Sequence, residues 1–198
     1  MLRARVSSVL FAGAMLAGCA TAPADLSPTN VAPYRQTIEL EGHLSVNYQK
    51  DGRAESLSGK FSWQQTAARV DVSLASPLGQ TIATVSVTPQ SATLTQADHV
   101  PRVAADVNTL TAQVLGWSLP VADLRDWLQG YARNADGSRF VASRRNDSVN
   151  TPDGWRLRFV SWQDDKADVP VPKRIDAERS ATLTTDELAI HIFVDAPD

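Results

Sequence analysis

Residues 38 to 48 read IELEGHLSVNY, and this stretch decides the fold. Apolar residues or glycine occupy every second position, and polar or charged residues occupy the positions between them. A period of two over 11 residues predicts a half-buried β-strand with one face toward water. The turn residues Lys50, Asp51 and Gly52 follow, and the alternation resumes from Ser56 to Gln64. Two alternating strands joined by a turn predict an antiparallel hairpin.

The same alternation continues on both sides of a central interruption. It recurs in residues 70–74, 83–87 and 92–94, so that five strands at short spacing indicate a meandering antiparallel sheet. Near the C-terminus it returns in residues 139–143, 155–162, 174–178 and 188–194. In the segment 155–162, the residues expected to share one face are Trp155, Leu157, Phe159 and Ser161.

The apolar spacing changes between these two groups of strands. From Ala104 to Leu115, and again from Pro120 onward, apolar residues recur at steps of three and four, which predicts two amphipathic helices. Pro120 suits the first position of a helix, and Gly130 ends the second one. Because these helices interrupt a meander, they must cover one face of the sheet. The sequence therefore predicts a mainly β fold of the α+β class.

The N-terminus carries a separate signal. Residues 16–19 read LAGC, and Cys19 is the only cysteine in the chain. Arg3 and Arg5 precede an apolar run from Val6 to Leu16, which is too short to span a bilayer. This order resembles a bacterial lipobox, and the alternatives are an ordinary secretory peptide or a short anchor. The resemblance implies cleavage before Cys19, a diacylglycerol thioether on its sulfur and a third acyl chain on its amine.

The lipobox divides the chain into three predicted parts. Residues 1–18 form a lipoprotein signal peptide, residues 19–33 form a lipidated N-terminus and flexible tether, and residues 34–198 form a single domain. Ala20 follows Cys19 where an aspartate would retain a lipoprotein at the inner membrane of a Gram-negative bacterium. Ala20 therefore implies a lipid-anchored protein on the periplasmic face of the outer membrane.

Charge and composition exclude several classes of function. Loss of Arg3 and Arg5 with the signal peptide changes the formal net charge from −3 to −5, so no nucleic-acid partner is expected. The histidines His43, His99 and His191 are dispersed, and neither a His-Glu-x-x-His run nor a Gly-x-Ser-x-Gly run occurs. We expect no enzyme, no catalytic residues, no metal and no cofactor beyond the acyl chains on Cys19.

Five tryptophans leave one structural question open. Trp63, Trp117, Trp127, Trp155 and Trp162 are spread over predicted strands and helices. They suit a packed core, but a half-closed sheet under short helices can also enclose an apolar cavity. The sequence pattern does not separate these alternatives.

Three motifs resemble a known family. They are FSWQQ at 61–65, SPLG at 76–79 and GWSLPVADLRDWLQG at 116–130, and they occur in the order found in the LolB family of outer-membrane lipoproteins. The resemblance covers essentially the whole mature chain. It implies an incomplete antiparallel β-barrel of about 11 strands, with short helices covering the open side and enclosing a hydrophobic cavity.

The resemblance also implies a non-catalytic function. Such a protein accepts lipoproteins from the periplasmic carrier LolA and inserts them into the outer membrane without nucleotide hydrolysis. Its expected partners are a LolA-like carrier, the acyl chains of client lipoproteins and the outer-membrane bilayer, and the protein is expected to be a monomer. The alternative is a scaffold lipoprotein that binds a protein partner through a sheet edge or groove.

Two groups of site residues follow from the resemblance. Ser76, Pro77, Leu78 and Gly79 form a predicted membrane-insertion loop with Leu78 at its tip, although a leucine folded back onto its hairpin is the alternative. Alternation and helical spacing supply the candidates for an acyl-chain cavity. These candidates are Leu44, Val46, Phe61, Trp63, Val85, Leu110, Leu124 and Trp127.

Overall fold

The computed structural model describes residues 29–50, 52–115, 119–181 and 187–196. Cys19, the predicted signal peptide and Trp117 lie outside the described residues. The helices are α1, Val107–Leu115, and α2, Val121–Trp127. The strands are β1 Ile38–Lys50, β2 Arg53–Gln65, β3 Val70–Ala75, β4 Thr81–Val87, β5 Ala92–Gln96, β6 Arg102–Ala104, β7 Tyr131–Arg133, β8 Arg139–Val141, β9 Ser148–Asn150, β10 Trp155–Trp162, β11 Pro172–Arg179 and β12 Leu188–Val194. None of the helices in these described ranges is long and apolar enough to cross a membrane.

Ten of the strands form one antiparallel sheet in the order β6-β5-β4-β3-β2-β1-β12-β11-β10-β9. β6 and β9 are its two ends, so the sheet is open, and β7 and β8 form a separate two-stranded sheet. An open antiparallel sheet with two short helices confirms the predicted fold class. Twelve strands are present in the described parts of the chain, close to the number expected.

Strand β1, which contains residues 38–48, lies at the centre of the sheet. β1 pairs with β2 along its whole length, from Ile38 opposite Gln65 to Lys50 opposite Arg53. On its other edge β1 pairs with β12. Gly42 interrupts the apolar row of β1 because a Cβ atom there would lie 2.0 Å from the carbonyl oxygen of Phe193 and 2.8 Å from the ring of Phe61. A larger residue would push the two neighbouring strands away from β1.

The first helix begins later than predicted. Residues 102–104 pair with β5 as the edge strand β6, and α1 starts only at Val107. Asp106 sets this start, since its carboxylate accepts hydrogen bonds from the Thr109 backbone N–H and hydroxyl, each at 2.8 Å. These bonds hold the pKa of Asp106 below its usual range. The apolar spacing did not predict this boundary, because a strand of three residues is too short to show a periodic pattern.

Strand β10 differs from its predicted face pattern at one end. Trp155, Leu157 and Phe159 point into the core as expected, but Trp162 replaces Ser161 on that face. The pairing of β10 with β11 shifts register on either side of Ser161, which is a β-bulge. A bulge inserts one residue and turns the following side chains to the other face. Here it buries the large Trp162 and leaves the small Ser161 partly accessible.

Aromatic side chains fill one part of the core. The rings of Phe140 and Phe159 stack at 6.1 Å between centroids, and those of Phe159 and Trp162 stack at 6.2 Å. Trp127 of α2 meets Trp155 of β10 edge-on at 5.7 Å. Each of these five side chains is buried. We call this group the aromatic region.

The segment before β1 contacts the domain earlier than the tether boundary suggests. Val31 is buried, and its backbone N–H donates to the carbonyl oxygen of Ala142 at 3.0 Å. Its side chain packs on Gly130, which has a φ of +82° and whose Cβ, if present, would lie 2.6 Å from Val31. The described part of the predicted tether, residues 29–33, therefore includes a contact with the turn that follows α2.

Candidate functional site

Two neighbouring cavities lie between the sheet and the helices. The smaller has a volume of about 90 Å³, and the larger has a volume of about 270 Å³. They share the side chains of Leu44, Leu57, Leu74 and Leu119. We call the residues that line either cavity the cavity region. Together the two spaces fall at the lower end of the roughly 300–1,000 Å³ typical of ligand pockets.

Apolar side chains line the smaller cavity throughout. The residues that line it are Leu44, Val46, Leu57, Phe61, Trp63, Val72, Leu74, Leu119, Val121, Leu124, Leu128, Ile190 and Ile192. All the strand members occupy alternate positions, because successive side chains of a strand point to opposite faces. Leu44, Leu57 and Leu74 are only partly buried although they face inward. Their accessible surface faces the cavity, so it is available to an apolar ligand.

The larger cavity extends toward one end of the sheet. Val85, Leu94, Leu110 and Val114 contribute apolar side chains from β4, β5 and α1. Ser58, Gly59, Lys60, Ala75, Ile82 and Gln96 also line it. These residues come from two adjacent rows near that end of the sheet: Lys60 pairs with Ala75 in one row, and Leu74, Ala83 and Gln96 pair in the next. The cavity therefore has an apolar interior and a partly polar mouth.

A buried threonine fixes the side of the cavities formed by the helices. The hydroxyl of Thr111 donates to the Val107 carbonyl oxygen at 2.9 Å and accepts from the Leu119 backbone N–H at 2.9 Å. This pair of bonds ties the chain after α1 back onto the helix. As a result Leu119 is positioned between the two cavities, where it lines both.

A hydrogen-bonded chain satisfies the polar atoms beside the smaller cavity. The indole N–H of Trp63 donates to Gln65 Oε1 at 3.1 Å, and Gln65 Nε2 donates to the Tyr34 hydroxyl at 3.0 Å. Tyr34 in turn bonds to Asp126, whose pKa is raised mainly by burial, against the opposing charges of Arg139 and Arg133. Because Trp63 is satisfied on its polar edge, it presents only its apolar ring to the cavity.

The structure brings seven of the eight predicted cavity residues to these two spaces. Leu44, Val46, Phe61, Trp63 and Leu124 line the smaller one, and Val85 and Leu110 line the larger one. Trp127 lies in the aromatic region against Trp155 instead. Val121 and Leu124 of α2 and Leu128 directly after it face the cavity, and Trp127 is one helical step of about 100° away from Leu128.

Several residues that line the cavities were not among the predicted candidates, although they lie on the predicted apolar faces of the strands. Ile190 and Ile192 alternate along β12, and Leu57, Val72 and Leu74 alternate along β2 and β3. Each shares a face with a predicted residue through strand pairing, as Leu44 does with Ile192. Leu119 gave no periodic signal, because it lies between the helices rather than in either one.

The predicted insertion loop connects β3 to β4. The Ser76 backbone N–H donates to the Gln80 carbonyl oxygen, and the Gly79 N–H donates to the Ser76 carbonyl oxygen, both at 2.8 Å. Gly79 has a φ of +86°, which a residue with a side chain rarely adopts. The Leu78 side chain is 97% exposed. It therefore does not fold back onto its hairpin.

The histidines on the strands lie on the face of the sheet away from the cavities. Neighbours of His191 along β12, Ile190 and Ile192, line the smaller cavity, so His191 points outward. Its Nδ1 atom lies 3.0 Å from the Asp176 carboxylate, which also accepts two hydrogen bonds from Arg174. Burial alone would raise the pKa of Asp176, but the bonds from Arg174 and His191 hold it below its usual range.

Comparison with known proteins identifies the family. Residues 36–196 match the family described as outer membrane lipoprotein LolB. The chain belongs to the LolB family. The LolB family is a lipoprotein-trafficking family and not a known enzyme family. Its members are outer-membrane lipoproteins, in agreement with the resemblance read from the three sequence motifs.

Individual LolB relatives cover most of the chain. The outer-membrane lipoprotein LolB of Cupriavidus pinatubonensis is 37% identical over 98% of this chain and 96% of its own length. That of Ralstonia nicotianae is 40% identical over 77% of this chain and 74% of its own length. Among solved structures, a LolA superfamily protein from Nitrosomonas europaea is similar with a TM-score of 0.44 and 8% identity, covering 82% of this chain and 86% of that one.

Proposed function

We propose that this LolB-family protein accepts the acyl chains of other lipoproteins in its two cavities and inserts those lipoproteins into the outer membrane. The donor is a LolA-like periplasmic carrier, and neither step uses nucleotide hydrolysis. The observation that carries the proposal is the pair of adjoining cavities under the helices, one of them lined only by apolar side chains.

The cost of exposing acyl chains to water explains the need for such a cavity. Each CH₂ group buried from water contributes about 0.8 kcal/mol, so a lipoprotein with long acyl chains cannot cross the periplasm with them exposed. A protein that takes over these chains must cover them throughout the transfer. The accessible surfaces of Leu44, Leu57 and Leu74 offer an apolar wall for that purpose.

The direction of transfer follows from relative affinities. Without an energy source, acyl chains move from carrier to receptor to bilayer only if each acceptor binds them better than the preceding donor. A moderate affinity in this protein satisfies both steps. The small size of the cavities and the polar side chain of Gln96 in the lining of the larger one are consistent with moderate affinity.

The loop at 76–80 supplies the insertion step. Leu78 is almost fully exposed at the tip of a turn held by two backbone hydrogen bonds. Exposing a leucine to water forgoes about 1.5–3 kcal/mol of burial free energy, which is recovered when the side chain enters hydrocarbon. Leu78 would therefore contact the bilayer while the client's acyl chains leave the protein.

The anchor keeps the protein at its target membrane. In this proposal residues 1–18 are removed, Cys19 carries the acyl chains, and residues 20–28 separate the domain from the periplasmic face of the outer membrane. The domain acts as a monomer. Replacement of Cys19 by alanine should release the protein from the outer-membrane fraction, and unchanged outer-membrane localisation would contradict the anchor.

A scaffold role receives less support. Binding of a partner strand at a sheet edge requires an accessible edge of useful length. Both edge strands of the ten-stranded sheet, β6 and β9, are only three residues long. The cavities have no purpose in a scaffold, whereas they are required for acyl-chain transfer.

A two-stage transfer assay tests the proposal. The first stage measures movement of a labelled lipoprotein from a LolA-like carrier to this protein, and the second measures movement from this protein to liposomes. The native protein should complete both stages without ATP. Leu78→Glu should complete the first and fail the second, because a charged side chain costs roughly 2–4 kcal/mol to place in hydrocarbon.

A matched control tests whether a glutamate at any exposed apolar position has the same effect. Val169 is also exposed but lies in the loop between β10 and β11, at the opposite end of the sheet from Leu78. Val169→Glu should behave as the native protein in both stages. If native protein fails the first stage, the cavity role is wrong. If Leu78→Glu fails the first stage as badly as the second, the insertion role is wrong.

A further inference from the structure

A second exposed apolar turn lies beside the Leu78 loop. It spans residues 97–101 between β5 and β6, and Val100 at its tip is 85% exposed. β4 and β5 are antiparallel, with Ala83 opposite Gln96, so the loop before β4 and the turn after β5 emerge at the same end of the sheet. They are two strand spacings apart, which is roughly 10 Å.

Local interactions hold Val100 away from the domain. The imidazole Nδ1 of His99 lies 2.8 Å from the Ala97 carbonyl oxygen, and the His99 backbone N–H bonds to the Gln96 carbonyl oxygen. Pro101 follows Val100 and restricts it to an extended conformation. The turn therefore presents a valine to solvent in a defined orientation, as the preceding loop presents Leu78.

The larger cavity opens between these two turns. Its lining includes Ile82, the second residue of β4, which is itself 50% exposed, and Gln96, the last residue of β5. Lys60 and Ala75, which pair across β2 and β3, complete this part of the lining. Leu78, Ile82 and Val100 thus form an apolar rim next to the cavity mouth.

Charge around the rim suits a phospholipid surface. Two exposed cations lie near this end of the sheet, Arg102 on the face that carries Leu94 and Lys60 on the outer face opposite His43. Between Ser76 and Arg102 the only carboxylate side chain is that of Asp98. Lysine and arginine beside apolar side chains can bind anionic headgroups while the apolar residues enter the acyl-chain layer.

We propose that the Val100 turn is a second membrane-contacting element, which acts with Leu78 and Ile82 to place the mouth of the larger cavity directly on the bilayer surface. This inference rests on the proposed function. The outer-membrane location of LolB-family proteins supplies the bilayer. Two contacts fix the orientation of the domain, so that an acyl chain leaving the cavity enters hydrocarbon without crossing water.

Site-specific fluorescence tests this contact in the intact lipidated protein. With Cys19 acylated, a single introduced cysteine is the only free thiol, and it can carry an environment-sensitive dye. Val100→Cys, Leu78→Cys and the opposite-end control Val169→Cys are reconstituted through their own anchor into vesicles of phosphatidylethanolamine and phosphatidylglycerol. Dye at positions 78 and 100 should shift to shorter emission wavelengths and be quenched by doxyl-labelled lipids, whereas dye at 169 should not.

The possible results distinguish the membrane contact of Val100 from the insertion role of Leu78. Quenching at 78 but not at 100 overturns the second contact and leaves insertion by Leu78 intact. Absence of quenching at both positions overturns the membrane role of Leu78, and the inference with it. Equal quenching at 78, 100 and 169 indicates adsorption without a preferred face, which also overturns the inference.

A transfer measurement tests whether the contact contributes to function. Val100→Glu should slow delivery from this protein to liposomes by at least about tenfold, because the variant loses the burial of one valine side chain and adds a charge that resists entering hydrocarbon. Hand-over from the carrier should be unchanged. Failure of hand-over in Val100→Glu would assign the turn to carrier docking and overturn the membrane role.

Discussion

The aromatic region and the cavity region belong to the same sheet but are packed differently. In the first, large rings from β8, β10 and α2 stack on one another and each side chain is buried. In the second, mainly leucine, isoleucine and valine from β1–β5 and β12, together with Phe61 and Trp63, face the helices across open space. Four of its leucines, Leu44, Leu57, Leu74 and Leu119, remain only partly buried.

The difference shows how one sheet can combine stability with an internal binding site. An aromatic side chain buries about 150–250 Å², and those of the aromatic region contact one another directly, whereas the cavity region is lined mainly by smaller aliphatic side chains. Closely packed side chains contribute many dispersion contacts, and a cavity wall contributes few. We therefore expect mutations in the aromatic region to lower stability and those in the cavity region to alter acyl binding.

A matched pair of truncations should give the largest contrast. Phe159→Ala should lower the free energy of unfolding by about 3–5 kcal/mol, because it removes a ring stacked between Phe140 and Trp162. Phe61→Ala should cost at least about 1 kcal/mol less, because one side of Phe61 already borders a cavity. Denaturant unfolding of both variants measures this, and equal losses would contradict the contrast.

A pair of enlargements should sharpen the same contrast with opposite effects on stability. Val149→Leu, at a buried position opposite Leu157, should lower the free energy of unfolding by about 1–3 kcal/mol through overpacking. Val85→Leu should leave it unchanged or raise it slightly, because the added methylene enters the larger cavity.

The enlargement at Val85 should also weaken binding of a fluorescent fatty-acid probe, measured by titration. Val149→Leu serves as the control and should bind the probe as the native protein does. Weaker binding in Val149→Leu, with no change in Val85→Leu, would place the acyl site outside the cavity region.

The smallest expected effect concerns pH. The pKa of Asp176 is lowered in the folded protein, so the unfolded chain binds its proton at a higher pH. Its contribution to stability is therefore present near neutral pH and is lost as the pH falls below about 4 and through the folded-state pKa. Asp176→Asn should lower stability near neutral pH and flatten this acid dependence.

Thermal unfolding of the native protein and of Asp176→Asn between about pH 3 and pH 7 measures this pH dependence of stability. Probe binding should not follow Asp176, because its carboxylate bonds to Arg174 and His191 on the outer face, away from the cavities. If probe binding to the native protein weakened with acid as its stability does, and Asp176→Asn abolished that dependence, the outer face and the cavity face of the sheet would be coupled.

The sequence anticipated those features that depend on one strand or helix at a time. Alternation located β1, β2, β10 and β12, and the three-to-four spacing located α2. Alternation also selected inward residues such as Leu44 and Phe61, since a strand side chain has only two possible faces. The turn residues Pro77 and Gly79 likewise indicated a loop that exposes Leu78.

Other features depended on interactions between elements. Trp127 and Leu128 are adjacent apolar residues, and both fit the helical pattern. Only the packing of α2 against the sheet places Trp127 against Trp155 and Leu128 at the smaller cavity. Strand β6 exists because β5 offers it a partner, and the bulge at Ser161 forms where β10 pairs with β11.

By itself, therefore, the sequence determined a mainly β chain with two covering helices, the side of each strand that is apolar, and membership of the LolB family through its motifs. Only the tertiary structure decided where that apolar face is filled and where it is hollow, and that Leu78 and Val100 emerge at one end beside the cavity mouth. The physical reason is that periodicity records the direction of a side chain, whereas an empty volume depends on the distance between elements that are far apart in the chain.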